Sequence, residues 1–319
     1  MPAPALRIVM LGTKDFAVPT FVRLVETGHD VVALVTQPDR PQGRKGEILP
    51  ARIAVEARAR GIPVHQPEDL NAPEGLELLR DLRPDLLVTA AYGQILSSAV
   101  LTLPPMGGIN LHGSVLPAYR GAAPVARAIQ DGAVESGVTV IRMTPRVDAG
   151  GMMAVARTPI GPDETAGELE RRLAELGAPL IVDAVAALAA GTALVQKQDR
   201  ARATKAPKLA KDDGRIDWSR PAQAVHDLVR AMQPWPQAST QWHPSGGRPP
   251  VRLIVHRTAV VDGSGAPGTV LSGSPGPLVV AAGAGAVRLV TVQVPGKKPM
   301  PAEEFLKGHR VSPGDRMGE

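Results

Sequence analysis

Asn110 and His112 stand two residues apart at the end of a short apolar run, a spacing that in a β-strand turns both side chains to one face. In an open α/β sheet ligands bind at the carboxyl ends of strands, so the pair can line a cleft. Asp148, in the turn Arg146-Val147-Asp148-Ala149-Gly150-Gly151 after a second apolar run, adds a carboxylate able to orient and charge the imidazole of His112. Each group also has a plain structural reading. A lone histidine beside an amide is commonly a satisfied core residue, and Asp before Gly commonly closes an Asx-turn. The segment Pro117-Ala118-Tyr119-Arg120-Gly121-Ala122-Ala123-Pro124 carries the chain from His112 into a helix, its prolines and glycine fixing the bend. Gly12 follows the first apolar run without the G-x-G-x-x-G pattern, so it reads as a turn residue rather than part of a dinucleotide site.

The elements that must position these groups follow from periodicity. Residues 6–11, 31–36, 85–90, 108–111 and 138–143 are short apolar runs bounded by Gly, Pro or Asp, which predicts buried strands. Helical spacing over 16–27, 50–60, 73–82 and 122–131 fills the intervals. This βαβ rhythm predicts an α/β fold, a Rossmann-like domain with a mostly parallel sheet, whose ligands bind at the carboxyl ends of strands. A long helix over 165–190, with Thr165 as N-cap, Glu168 completing a capping box and Gly191 as stop, is expected to close a first domain spanning 1–191. Residues 192–214, holding Lys197, Arg200, Arg202, Lys205, Lys208 and Lys211, read as an exposed basic linker. From 215 to 319 a helix near 219–232 precedes strands at 251–260, 268–272, 277–281 and 286–293. That pattern predicts a small C-terminal β-barrel, OB-like. Residues from Val311 onward read as frayed.

A chain of 319 residues is long enough for two such domains. Its net charge of +5 is unevenly spread: residues 1–190 hold 18 basic and 21 acidic side chains, and residues 191–319 hold 18 and 10. The basic excess therefore belongs to the C-terminal part and points to a polyanion, nucleic acid first. With aromatic residues at 3 %, base stacking is a poor means of recognition, and a nucleic acid would be gripped by its backbone. The absence of cysteine excludes disulfides, thiolate metal sites and a cysteine nucleophile. No His/Asp/Glu cluster has metal-ligand spacing, so no metal is expected. Residues 1–11 lack a signal-peptide core and no 18-residue apolar run occurs, so no membrane contact is expected, and a cytoplasmic monomer is.

Asn110-x-His112, the run His112-Gly-Ser-Val-Leu-Pro-Ala-Tyr-Arg-Gly-Ala-Ala-Pro124 and Asp148-x-Gly150 together resemble the folate-dependent formyltransferase family. Leu11-Gly-Thr-Lys-Asp-Phe-Ala-Val-Pro19, Gln37-Pro-Asp-Arg-Pro-Gln-Gly-Arg-Lys45, Ile216-Asp-Trp218, Pro234-Trp-Pro236 and Val292-Gln-Val-Pro-Gly-Lys-Lys298 are similar to the branch of that family that acts on initiator tRNA. The resemblance implies transfer of a formyl group from 10-formyltetrahydrofolate to the α-amino group of methionine esterified to initiator tRNA. Attack of a neutral amine on a formamide-like carbonyl creates an oxyanion and an ammonium, which calls for hydrogen-bond donors and a proton acceptor. Asn110, His112 and Asp148 are then the catalytic residues, with Asp148 either receiving the amine proton through a water or charging His112. By the same resemblance Ser114, Val115, Leu116 and Pro117 contact folate, and Ala90 to Leu96 flank the pterin pocket. Arg40, Arg44, Lys45, Lys205, Lys208, Lys297 and Lys298 contact tRNA. Branches that formylate glycinamide ribonucleotide or an amino sugar nucleotide share the catalytic motifs, and the C-terminal domain and basic linker favour tRNA over them. The chain departs from the family pattern at Lys14, commonly Pro, at Val115, usually Leu, at Gly151, commonly Asp, and at Gln237, usually Gly.

Overall fold

The computed structural model describes residues 4–42 and 47–318, which form two compact units. The first takes in Met1–Pro124, Glu135–Thr158 and Glu170–Ala206, the second Val125–Val134, Pro159–Leu169 and Pro207–Glu319. No helix among the described residues is long and apolar enough to cross a membrane.

The first unit is built on the strands β1 (Arg7–Gly12), β2 (Asp30–Val35), β3 (Val64–His65), β4 (Leu86–Ala90), β5 (Gly108–His112), β6 (Glu135–Arg142) and β7 (Met152–Pro159). They lie in the order β7-β6-β5-β4-β1-β2-β3. The pairs β1–β2, β2–β3, β1–β4 and β4–β5 are parallel and β5–β6 is antiparallel, giving the mostly parallel sheet expected from the sequence. All five residues of β4 are buried, as a continuous apolar run must be when both faces of a sheet are covered. The short edge strand β3 and the partly exposed β7 close the two sides. The long helix Ala166–Ala189 begins at the capping box read from the sequence: the Thr165 N–H donates to Glu168 Oε2 at 2.9 Å and the Glu168 N–H to Thr165 Oγ1 at 3.3 Å. It ends where Gly191 takes a left-handed φ of 69°. Gly177 of this helix leaves room for Leu111, since a Cβ there would stand 2.5 Å from Leu111 Cδ2. Leu111 therefore packs on one face of β5 while its neighbours Asn110 and His112 occupy the other.

In the second unit the strands β8 (Ala238–His243), β9 (Val251–Val261), β10 (Val270–Ser272), β11 (Val279–Ala281), β12 (Ala286–Gln293) and β13 (Arg316–Gly318) lie in the order β10-β11-β12-β9-β8-β13. Every one of these neighbours is antiparallel. The Val270 N–H donates to Asp315 O at 2.8 Å and the Met317 N–H to Gly268 O at 2.6 Å, so the two ends of the series meet and the barrel nearly closes. Trp242, Val255, Val280, Val292 and Phe305 fill its interior. Helix Ala222–Ala231 anchors residues 159–169 to this unit: Arg230 pairs with Asp227 at 2.7 Å and donates to the carbonyls of Gly161 and Glu164, and His226 bonds Pro162 O at 3.1 Å.

The frayed C-terminus is corrected by this arrangement. Val311, Asp315 and Met317 are buried, and β13 pairs with β8. The Asp315 carboxylate accepts the Trp242 Nε1–H at 2.9 Å, the Ser245 N–H at 2.8 Å and the Ser312 N–H at 3.0 Å, which pins the tail. Burial alone would raise its pKa, but these donors outweigh burial and hold it below the usual carboxylate range. Gln237, where the family pattern has Gly, carries a left-handed φ of 72°, a conformation that glycine adopts without steric cost.

Candidate active site

β5 ends with Asn110 and His112 on one face, and neighbouring elements fix both side chains. The Thr89 hydroxyl, from β4, donates to Asn110 Oδ1 at 2.6 Å. The amide oxygen is thereby spent, and the Nδ2 hydrogens are left with no acceptor among the described residues. His112 is buried, with Nε2 2.9 Å from the Tyr119 carbonyl. A carbonyl can only accept, so Nε2 carries a hydrogen and Nδ1 is the nitrogen left for chemistry. Nδ1 faces Asp148 Oδ2 at 3.5 Å. That distance permits electrostatic attraction but exceeds a good hydrogen bond.

Asp148 is not closing an Asx-turn. Its φ of 48° is left-handed, an uncommon and costly setting for a residue other than Gly. Its Oδ2 accepts the Gly121 N–H at 2.9 Å, and Oδ1 takes no hydrogen bond among the described residues. Two features hold the strained turn. Gly150 packs so tightly under Arg142 that a Cβ would stand 1.7 Å from the Arg142 carbonyl oxygen. Gln198 donates through Nε2 to the Asp148 carbonyl at 2.8 Å and to the Gly150 carbonyl at 2.7 Å. The Gln198 Oε1 in turn accepts Nε and Nη2 of Arg120 at 3.0 and 2.6 Å.

Gln198 was missed by sequence reasoning, because one amide bonding to main-chain carbonyls leaves no periodic trace. It lies in the segment read as a basic linker. That segment is mostly exposed, yet Lys205–Ala206 pairs in parallel with Arg120–Gly121 and Thr204 Oγ1 accepts the Tyr119 N–H at 2.8 Å. It therefore holds the loop whose Tyr119 carbonyl positions His112.

The stretch Ser114 to Pro117 is already engaged. The Ser114 hydroxyl donates to Ala118 O at 2.6 Å, Thr139 Oγ1 donates to Ser114 O at 2.7 Å, and the Leu116 N–H donates to Thr139 Oγ1 at 3.0 Å. Ser114 and Leu116 are buried, and only Val115 and Pro117 stay half-exposed. In the segment Ala90 to Leu96, Ala91 has a left-handed φ of 45°, and the buried Tyr92 hydroxyl has no partner among the described residues. Burial, with Asp69 nearby, pushes the Tyr92 pKa upward.

Residues 6–185 match the family described as Formyl transferase, and residues 208–310 match Formyl transferase, C-terminal domain. A methionyl-tRNA formyltransferase of Citrifermentans bemidjiense is 45 % identical over 314 residues, covering 98 % of this chain and 97 % of that protein. One of Ectopseudomonas mendocina is 44 % identical over 317 residues, covering 99 % of each. The chain belongs to the methionyl-tRNA formyltransferase family. Solved structures agree on the fold alone. HypX of Aquifex aeolicus in complex with tetrahydrofolic acid superposes with a TM-score of 0.64 at 17 % identity over 95 % of this chain and 47 % of that one. The sugar 3N-formyl transferase WlaRD gives 0.66 at 15 % identity over 92 % and 100 %.

For a member of the methionyl-tRNA formyltransferase family the placement of the cations matters next. Lys205, Lys208, Lys297 and Lys298 are exposed, and their ammonium groups have no partner among the described residues. Arg40 is exposed and ion-paired with Glu68 at 2.5 Å. Arg44 and Lys45 lie outside the described residues. The geometry brings Asn110, His112 and Asp148 together in the first unit, while Lys297 and Lys298 belong to the second.

Proposed function

We propose that the chain transfers the formyl group of 10-formyltetrahydrofolate to the α-amino group of methionyl initiator tRNA, working as a cytoplasmic monomer without a metal. The observation that carries this reading is the kinship, along nearly the whole chain, with relatives named methionyl-tRNA formyltransferase. The family matches over 6–185 and 208–310 support a division into a formyltransferase domain at 1–191, a basic linker at 192–214 and a tRNA-binding barrel at 215–319.

The residues present fit such a donor: an amide with uncommitted Nδ2 hydrogens stands beside an imidazole and a carboxylate with an uncommitted oxygen. When bound, the folate supplies an activated formamide carbonyl. Asn110 is held by Thr89 with its Nδ2 hydrogens available to a developing oxyanion. His112, locked at Nε2–H by Tyr119, turns Nδ1 toward Asp148 Oδ2. Asp148 either orients that ring through Oδ2 or receives the amine proton through a water at its open Oδ1. Val115 and Pro117, and backbone of the Ser114 to Pro117 stretch, would border the folate. Arg40, Arg44, Lys45, Lys205, Lys208, Lys297 and Lys298 would meet phosphates.

The test is transfer of label from formyl-labelled donor to methionyl initiator tRNA, assayed beside glycinamide ribonucleotide and an amino sugar nucleotide. Label on the tRNA is expected. Label on either small amine, with none on tRNA, would overturn the reading.

A further inference from the structure

Thr89 and Asn110 are register partners on the parallel neighbours β4 and β5, so their side chains stand side by side on one face of the sheet. Thr89 is buried, and its hydroxyl has a single hydrogen to give. Two acceptors lie within reach of it: Asn110 Oδ1 at 2.6 Å and Met143 Sδ at 3.4 Å. A thioether is a weak acceptor and an amide oxygen a good one, so the hydrogen goes to Asn110. The other end of the amide stays open. Among the described residues the sealed, unpaired side-chain nitrogens and oxygens are Thr20 Oγ1, Gln37 Nε2 and the Tyr92 hydroxyl. Asn110 Nδ2 also lacks an acceptor yet is not one of these, so on this half-buried residue it remains accessible.

A side-chain amide turned end for end keeps its shape and reverses its polarity. In the reversed setting Nδ2 would donate to the Thr89 oxygen, the Thr89 hydrogen would be left to Met143 Sδ, and Oδ1 would face the developing oxyanion, negative end to negative charge. That setting trades a good hydrogen bond for a weak one. We propose that Thr89 is a positioning residue for the reaction: its hydroxyl fixes which end of the Asn110 amide is presented, and so keeps Nδ2 rather than Oδ1 toward the formyl oxygen. The inference rests on the reading of Asn110 as a donor to that oxygen and deepens it. Thr89 acts only through Asn110. Valine has the outline of threonine with no hydrogen to give, so with valine at position 89 the two settings of the amide come close in energy. Serine keeps the donor.

The test compares full-length wild type with Thr89→Val, Thr89→Ser, Asn110→Ala and the double variant Thr89→Val/Asn110→Ala. Single-turnover formylation of methionyl initiator tRNA is measured at saturating 10-formyltetrahydrofolate, together with the donor KM and thermal unfolding. Thr89→Val should slow the reaction roughly tenfold with the donor KM unmoved, and Thr89→Ser should stay within about twofold of wild type. In the Asn110→Ala background Thr89→Val should cost nothing further, because no amide is left to orient. If the valine chain does not fold, Thr89→Ala takes its place in both backgrounds. A wild-type rate in the folded variant that lacks the hydroxyl would overturn the proposal. So would a loss that Thr89→Ser repeats, or one that multiplies in full with Asn110→Ala, since either assigns Thr89 to packing. An Asn110→Ala enzyme at the wild-type rate would instead remove the amide from the chemistry, and the role of Thr89 would fall with that reading.

Discussion

The residues proposed for chemistry and those proposed for gripping RNA live under opposite conditions. The side chains of His112 and Asp148 are only 6 % and 14 % exposed, and each is tied to main chain through Tyr119 or Gly121. Lys205, Lys208, Lys297 and Lys298 are exposed, with ammonium groups bonded to nothing among the described residues. Buried polar groups must be satisfied, and satisfaction fixes them in place. Surface ammonium groups are satisfied by water and stay free to follow a flexible polyanion. The proposal thus vests rate in groups that are held and affinity in groups that are not.

The sharpest way to break this contrast is at the fixed end. His112→Ala and Asp148→Ala should each lower single-turnover formylation at least about a hundredfold while the fold is kept. Near-normal turnover in either folded variant would remove it from the chemistry.

Fixed polar groups outside the site should affect stability instead. Asp315→Asn places an N–H₂ against donors that all need an acceptor, at a cost of about 1 to 3 kcal/mol at neutral pH, read from thermal unfolding of the full chain. The folded pKa of Asp315 is depressed, so its contribution is present above the ordinary carboxylate value and is lost as pH falls through the folded value. The gap between wild type and variant should therefore narrow as pH drops from about 5 toward 2. A gap that holds constant to acid would show that the three donors do not act on the carboxylate charge.

Gln198→Leu probes the boundary between the two regimes. Loss of both amide donors frees the strained Asp148 turn, and kcat should fall roughly tenfold with the donor KM unchanged, a positioning loss. A lower melting temperature with intact kcat would assign Gln198 to the scaffold only.

The smallest effect belongs to the movable end. Changing Lys297 and Lys298 together to Ala should weaken all tRNAs alike, by a few-fold, and flatten the salt dependence by about one slope unit per phosphate released. A change in preference between tRNAs would mean that these lysines read identity rather than charge.

How much of this was legible in the sequence follows the same divide. Asn110 and His112 at a strand end and Asp148 in the turn after another strand were legible as candidates from pattern and topology, and their roles came from the family resemblance. The capping box of Thr165 and Glu168 was equally readable, because it is local. Gln198 was hidden in a stretch whose charges dominate its composition. β13 was hidden behind Pro313 and Gly314, which look like a loose end and in fact turn the chain back to close the barrel. β8, Ala238–His243, escaped because its inward residues include Thr240 alongside Ala238 and Trp242, an alternation weak in large apolar side chains. That only Nδ1 of His112 is free for chemistry depends on the Tyr119 carbonyl, seven residues away through a left-handed backbone, which no spacing rule anticipates.

The two-residue ladder between Arg120–Gly121 and Lys205–Ala206 has a practical corollary for anyone exchanging parts among such enzymes. A splice that swaps everything after the long helix, treating 192–214 as inert tether, would discard Gln198 and Thr204 along with it. The recipient would keep the three residues proposed for the chemistry and lose the braces that hold them. A workable chimaera crosses over after Ala206, and its success or failure can be scored by the Michaelis parameters of the donor and the acceptor separately.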